Sequence, residues 1–267
     1  MARQDHTHPS RISVVTGAAS GIGAALATAL AERGHRVVVS DIDPDAAATV
    51  AREIGGRAFA CDVADPDQVD ALAAFTLAEY GGVDDLFNNA GVGSHGRVDE
   101  MTRDDWAWML GVNLYGVING VTSFLPALRR SAAGGRIVNT CSMSAVAPLV
   151  GLGAYATAKA GVLALTEVLS AEMEGQPDAV TVSAVLAGPT RTRISTSARH
   201  RGDTGPSGLA DVELSGPIVA HMIEPDEAAA RILEGADAGQ LFIVTHPALG
   251  FRASERAKRI LASFSSA

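Results

Sequence analysis

Short runs of β-branched residues alternate with longer alanine-rich segments along the chain, and this rhythm limits the fold more than any other feature. Seven runs read as strands: Ile12–Thr16, Arg36–Ser40, Arg57–Cys61, Asp84–Asn88, Gly135–Cys141, Val180–Leu186 and Leu241–Thr245. Most are apolar without strict alternation, as strands covered on both faces are. Helical patterns run over Gly21–Arg33, Pro44–Ile54, Pro66–Tyr80, Arg103–Arg130, Ala154–Glu174 and Asp226–Ala236, and Arg252–Phe264 reads as a short amphipathic tail. Gly34, Gly81–Gly82 and Gly134–Gly135 mark helix ends, and Pro44, Pro66 and Pro225 suit first turns. Parallel strands joined by helices require right-handed crossovers. The expected fold is therefore α/β: a Rossmann-like, doubly wound arrangement of a seven-stranded, mostly parallel sheet with helices on both faces.

No linker divides the 267 residues, of which 47% are hydrophobic and 19% charged, so one domain over 1–267 is expected. Its parts are a core over 10–190, a glycine- and proline-rich insertion over 191–224, and a last helix, strand and tail over 225–267. With 21 Lys plus Arg against 30 Asp plus Glu, the net charge of −9 argues against nucleic acid as a partner. Cys61 and Cys141 sit in strand-like runs and read as buried thiols rather than a disulfide. The polar start, Met1 to Arg11, lacks an apolar signal region, and no stretch is long enough to span a bilayer. A reducing cytoplasm is the expected compartment. The histidines, with His6 and His8 in a frayed start, show no tight ligand spacing, so no metal is expected.

The first strand runs into Thr16-Gly17-Ala18-Ala19-Ser20-Gly21-Ile22-Gly23 and then a helix. Such a turn brings bare backbone close to a phosphate, and the helix start adds free N–H groups and a positive dipole end. The spacing is G-x-x-x-G-x-G. The second strand ends at Asp41, where a carboxylate can either accept hydrogen bonds from a ribose or cap the next helix, a task Asp43 could equally perform. Neither Ser20 nor the neighbours of Asp41 are basic, which favours a cofactor without a 2′-phosphate.

Tyr155 and Lys159 stand four residues apart at the start of a helical run and so share a face. A lysine cation near a phenol favours the phenolate, which suits a general acid/base for an alcohol proton. On its own such a pair is more often a solvated helix face. Ser142 ends the preceding strand, Asn88-Asn89-Ala90-Gly91 ends the fourth, and Asn113 lies mid-helix, an odd place for a short polar side chain without a partner. Together with Asp62-Val63 after the third strand, these residues, in order and spacing, give the chain a resemblance over about 12–192. It resembles the single-domain, NAD(P)-dependent branch of the short-chain dehydrogenase/reductases.

The resemblance implies an oxidoreductase moving a hydride between NAD(H) and a secondary alcohol/ketone pair. Tyr155 would transfer the proton, Lys159 would hold the nicotinamide ribose and lower the tyrosine pKa, Ser142 would fix the substrate oxygen, and Asn113 would hold a relay water. Gly17, Ser20, Gly21 and Ile22 would meet the pyrophosphate, Asp41 the adenosine ribose, Asp62 and Val63 the adenine, and Asn89, Ala90 and Gly91 the cofactor's middle. Thr190 and Thr192 would hold the carboxamide. Two departures stand out: Ala187 occupies the place of a proline before Gly188, and Gln240 to Pro247 replaces the usual Asp-Gly-Gly-like ending. That end contributes to subunit contacts in the family, so a homo-oligomer, dimer or tetramer, is expected; the departure counts against the usual tetramer, while Arg103–Arg130 and Ala154–Glu174 could still give a dimer. The insertion falls where the family has its substrate lid. Its Ile194, Leu209, Val212, Leu214, Ile218, Val219 and Met222 either line a pocket or pack the loop down. Met143, Leu149, Val150 and Leu152 are further candidates for apolar lining, and His95, after Asn89–Gly91, either reaches the pocket or is a surface histidine, the latter being the commoner case. The segment Gly111–Gly120 and the ending Phe242–Pro247 are similar to bacterial members that oxidise aryl or other hydrophobic secondary alcohols. Two alternatives stay open: an NADPH-dependent carbonyl or 3-oxoacyl reductase, and a non-catalytic nucleotide sensor.

Overall fold

The computed structural model describes residues 10–202, 205–212 and 215–264. His6, His8 and Leu214, and the side chain of Ile218, fall outside the described parts. Seven strands form one sheet: β1 Ile12–Thr16, β2 Arg36–Asp41, β3 Arg57–Ala60, β4 Asp85–Asn88, β5 Arg136–Thr140, β6 Thr181–Leu186 and β7 Phe242–Val244. Their order is β3-β2-β1-β4-β5-β6-β7 and every pairing is parallel, so the sheet is wholly rather than mostly parallel. The order reverses between β1 and β4, which opens a crevice at the C-terminal strand ends.

The register explains why the strands read as continuous apolar runs. Val38, Val14, Leu86, Ile137 and Val182 lie in one row across five strands, and all face the same core layer. That layer is closed by α3 (Pro66–Tyr80), α5 (Gly116–Leu128) and α7 (Gly153–Met173), through Leu72, Phe124, Leu128 and Leu169. One residue on, Val39, Val15, Phe87 and Val138 face the opposite layer. There Leu26 and Leu30 of α1 (Gly21–Glu32), Ala47 and Ala51 of α2 (Pro44–Ile54), and Ile232 and Leu233 of α8 (Pro225–Asp237) cover them. Each fully buried Leu, Ile or Val contributes about 1.5–3 kcal/mol, so both faces must be apolar. Helix starts follow local rules. Asp43 accepts from the Ala46 N–H at 3.0 Å, Asp65 from the Asp67 N–H at 3.0 Å, and a proline follows each.

The expected helix Arg103–Arg130 is broken. It consists of α4 (Arg103–Leu110), a π-helical turn Gly111–Tyr115, and α5. The cause is Asn113. Its side-chain amide donates to the Met109 carbonyl at 3.0 Å, the acceptor its own backbone N–H would use in an α-helix. The backbone widens by one residue instead, as π-turns do. The apolar pattern runs through this turn without interruption, so sequence alone missed it. A short α6 (Met143–Val146) after β5 was also not expected, and α9 (Gly250–Phe264) starts two residues before the expected tail and buries none of its residues.

At the N-terminal end of the central strand β4, Asp85 is fully buried and accepts from Arg11 Nη2 at 2.7 Å, Ser13 Oγ at 2.8 Å and Arg136 Nε at 2.9 Å. Burial alone would raise its carboxyl, but hydrogen bonds from His35 and Arg11 and the Arg136 charge hold it well below the usual carboxylate range. Removing one member of such a buried pair leaves an unpaired charge. Asp85→Ala should lower stability by about 3–5 kcal/mol, read as a fall in the urea midpoint at unchanged slope. A midpoint equal to wild type would refute the pairing as a structural determinant.

Candidate active site

The C-terminal strand ends open into a cavity of about 830 Å³, lined at one end by Gly17, Asp41 and Asp62 and at the other by Ser142, Tyr155 and Gly188. At the first end, Gly17 and Gly21 take φ of +64° and +54°, left-handed values that favour glycine. A Cβ on Gly17 would stand 2.7 Å from the Ala90 Cα, and one on Gly23 would collide with the Gly17 carbonyl. No side chain caps α1, whose N-cap is Ser20, so its first turn points bare into the cavity beside Ile22.

Asp41 does not cap α2; Asp43 does. The Asp41 carboxylate instead accepts from the Ala19 N–H at 3.0 Å and the Asp43 N–H at 3.1 Å, which ties the glycine turn to the end of β2 while the side chain lines the cavity. Asp62 accepts from the Ala64 N–H at 2.9 Å, and Val63 packs against Gly116, where a Cβ would come within 2.6 Å of Val63 Cγ2. Thr16 Oγ1 accepts from the N–H groups of Asn89 (3.0 Å) and Ala90 (3.1 Å), and Asn89 Nδ2 donates to the Thr16 carbonyl at 3.0 Å. These bonds fix Asn89, Ala90 and Gly91 at the crevice. Thr190 and Thr192 line the same cavity, and a Cβ on Gly21 would stand 2.9 Å from Thr192 Cγ2.

At the other end, α7 presents Tyr155 and Lys159 on one face, and its Lys159 carbonyl accepts from Cys141 Sγ at 3.0 Å. Lys159 is 2% exposed; its Nζ donates to the Thr140 carbonyl at 2.8 Å and lies 5.8 Å from the Tyr155 ring centre. Asn113 Oδ1 accepts from the Val92 N–H at 3.2 Å, and its amide donates to the Val92 carbonyl at 2.9 Å. Between them sits Gly91: a Cβ there would be 2.9 Å from Asn113 Oδ1 and 3.7 Å from Lys159 Nζ. Buried Ser142 is the N-cap of α6, its Oγ accepting from the Ser144 N–H at 3.1 Å. All sixteen residues singled out in the sequence meet around this cavity; all but Asn113 form its wall, and Asn113 stands directly behind Gly91 and Val92.

Burial pushes the Tyr155 phenol up to about 12, against the lowering effect of its hydrogen bond with Ser142, and burial lowers Lys159 to about 8. Desolvation of the shared pocket is the largest influence on both groups.

Among the expected lining residues, Met143, Leu149, Val150 and Leu152 do line the cavity, as do Trp108 and His95; His95 therefore is not a plain surface histidine. Of the described apolar side chains in 191–224, Ile194 lines it, whereas Leu209 packs the loop down onto Val92, Met109 and Ala154. The two departures in sequence meet in space. The Gly188 N–H donates to Thr245 Oγ1 at 3.0 Å, and a Cβ on Gly188 would collide with the His246 ring. His246 in turn shares a 3.0 Å hydrogen bond with the His221 carbonyl, so the C-terminal segment braces the turn at Ala187-Gly188. Sequence reasoning missed His246, as it did Asp105 and Arg201. Both cysteines are free and buried. Among the described residues no cluster of three metal-ligating side chains occurs, and no helix is long and apolar enough to cross a membrane.

Residues 11–203 match the short chain dehydrogenase family. The D-threitol dehydrogenase of Mycolicibacterium smegmatis is 36% identical over 237 residues, 86% of this chain and 88% of that protein. The cyclohexanol dehydrogenase of an Acinetobacter species is 34% identical over 191 residues, 69% of this chain and 75% of that one. A short-chain dehydrogenase/reductase from Burkholderia phymatum, solved in complex with NAD, superposes with a TM-score of 0.86 at 29% identity, covering 95% of both chains. Crevice, glycine turn and the pair of half-buried Tyr155 and buried Lys159 thus define an oxidoreductase of the Rossmann type. The chain belongs to the short-chain dehydrogenase/reductase family.

The raised phenol has a measurable consequence. In the protein without nucleotide, the absorbance difference between wild type and Tyr155→Phe should show no phenolate step below about pH 10, the ordinary tyrosine value. A step near neutrality would refute burial as the dominant influence on Tyr155.

Proposed function

We propose that the chain is an NAD-dependent dehydrogenase of secondary alcohols with a hydrophobic or aromatic body, and that Tyr155 is its acid/base. The observation that carries this reading is the convergence of Tyr155, Lys159, Ser142 and Asn113 on one end of a cavity whose other end holds Asp41. Bare backbone at Gly17 and Gly21 and the uncapped start of α1 suit a pyrophosphate, with Ser20 and Ile22 beside it. The Asp41 carboxylate suits the ribose hydroxyls of NAD and would repel the 2′-phosphate of NADP. Asp62 and Val63 would flank the adenine, Asn89, Ala90 and Gly91 the middle of the cofactor, Thr190 and Thr192 the carboxamide, and Lys159 the second ribose.

When bound, the nicotinamide ring supplies the hydride acceptor. The chain's own task is the proton. Ser142 Oγ would hold the substrate oxygen and Tyr155 Oη would take the hydroxyl proton; with a ketone the same tyrosine would give a proton back, and the hydride would come from the reduced cofactor. Lys159 favours the phenolate once its charge and the cofactor share the pocket, and Asn113 fixes a water through which protons leave. The apolar wall of Met143, Leu149, Val150, Leu152 and Ile194 supports a hydrophobic substrate. Cyclohexanol as substrate of one relative agrees with this; D-threitol as substrate of another favours a polyol. Residues 191–224 act as the substrate lid of a single domain over 1–267. A homo-oligomer in the cytoplasm completes the reading, supported by the exposed Tyr115 and Val168 on the π-turn and α7. A monomer in sedimentation at micromolar concentration would refute the oligomer.

Calorimetry with NADH and NADPH tests the cofactor. Tight NADH with weak NADPH is expected, and Asp41→Ala should narrow the difference; a preference for NADPH would put the carbonyl-reductase alternative first. Tyr155→Phe should reduce turnover by about 10²–10⁴-fold while NADH still binds, and undiminished turnover would remove Tyr155 from its role. A panel of cyclohexanol, 1-phenylethanol and D-threitol separates substrate classes, and turnover of D-threitol alone would overturn the hydrophobic assignment.

A further inference from the structure

Asp105 is an ordinary first-turn acid of α4 by position, yet it is fully buried and its carboxylate reaches well beyond its own helix. Within the helix it completes a capping box: Oδ2 accepts from the Thr102 N–H at 2.9 Å while Thr102 Oγ1 accepts from the Asp105 N–H at 3.1 Å. The other bonds come from the loop that covers the cavity. Ser207 Oγ donates to Oδ1 at 2.6 Å, the Gly208 N–H donates to Oδ2 at 2.9 Å, and Arg201 Nη2 stands 2.9 Å from Oδ1. The Arg201 side chain is itself 7% exposed and lines the cavity. A cap needs one partner; a carboxylate with two hydrogen-bond donors and one ion-pair partner from a segment about a hundred residues away does something more.

The backbone at this point is built for contact. A Cβ on Gly208 would collide with the Glu100 carbonyl, and one on Gly96 would collide with the Gly208 carbonyl. The loop therefore lies flat against the segment after β4 only because both positions are glycine. Two flanking attachments run alongside. His95 and Ala210 exchange backbone hydrogen bonds of 2.9 and 2.8 Å, and Ser197 Oγ accepts from the Gly93 N–H at 2.7 Å. His95, Gly93 and Ser197 all line the cavity, so the seam is also part of its wall.

We propose that Asp105 is a positioning residue: it latches the covering loop, through Arg201, Ser207 and Gly208, onto α4 and so sets the closed shape of the substrate end. The proposal rests on the reading of the cavity as the reaction site and adds what holds it shut. Burial would raise the Asp105 carboxyl, but hydrogen bonds from Ser207, Thr102 and Gly208 hold it down at about 2. The latch is accordingly charged at every pH at which the enzyme would work. Nothing in the latch touches the glycine turn, Asp41 or Asp62, so its release bears on the alcohol and not on the adenine end of the cofactor.

Hydrogen exchange followed by mass spectrometry on the full-length chain tests this without a substrate. Asp105→Asn, which keeps the shape and one acceptor oxygen but loses the charge facing Arg201 and the oxygen that accepts from Ser207, should speed exchange over 205–212 by about tenfold or more, with β1 and α7 unchanged. Gly208→Ala should do the same from the loop side with the α4 cap intact, and Ser207→Ala should do so more weakly. Unchanged exchange over 205–212 in Asp105→Asn and Gly208→Ala would overturn the proposal. So would exchange raised equally everywhere, which would make Asp105 a stability residue only. With 1-phenylethanol as the probe, the latch variants should raise the KM for the alcohol and leave the KM for NAD as in wild type. A parallel rise in both would also overturn it. Failure of every alcohol to react, with local exchange still raised, would count against the proposed function and not against the latch.

Discussion

A buried ammonium is the constraint around which this site is arranged. Lys159 is almost wholly excluded from solvent, and a charge in such a place costs several kcal/mol unless polar groups surround it. The Thr140 carbonyl, at the C-terminal end of β5, supplies one partner. That single bond fixes where α7 must begin relative to the sheet, and the bond from Cys141 to the Lys159 carbonyl fixes it a second time. Tyr155, one turn earlier on α7, is then placed beside Ser142 without further adjustment. The absence of a side chain at Gly91 lets Asn113 approach the same ammonium, and the π-turn is the backbone's accommodation to the bonds Asn113 makes there. Helix, turn and loop are separate elements, yet one desolvated charge determines how they meet.

The same logic applies where the chain departs from its family pattern. With Ala187 in place of a proline, the turn after β6 loses a rigid φ, which would otherwise pre-set its geometry. Thr245 and His246 supply the missing restraint from outside, one by a hydrogen bond to the Gly188 N–H and the other by filling the space beside a residue with no Cβ. The atypical C-terminal segment thus lies directly against the atypical turn.

Much of this was legible in sequence because it depends on local chemistry. A glycine turn between a strand and a helix, aspartates before helical prolines, and apolar runs covered on both faces each carry their own physical signature. Tyr155 and Lys159 were legible through their spacing. Asn113 was legible as an anomaly, but its consequence was not: apolar residues pass through Gly111–Tyr115 as they would through an α-helix, and only the Met109 and Val92 carbonyls, brought together by folding, explain the widened turn. Asp105 gave no signal, since an acid in a first turn is where helix dipoles prefer one. Its distinction lies in Ser207 and Gly208, about a hundred residues away in the chain. The burial of the tyrosine and lysine was not legible for a related reason. Spacing reports that a lysine is near, but burial, which acts on both groups at once, is a property of the assembled pocket.

α4 joins these threads. Its first turn carries the carboxylate that receives the covering loop, and its last turn runs directly into the π-turn that carries Asn113. Asp105 and Asn113 stand only eight positions apart, and Trp108 between them lines the cavity. Both ends of this short stretch are tied down by buried polar side chains: Asp105 to Ser207 and Gly208, and Asn113, in the turn that follows, to Val92 and Met109. The seat of the covering loop and the residue behind Gly91 are therefore placed by one element, and no longer network of contacts is needed to relate them.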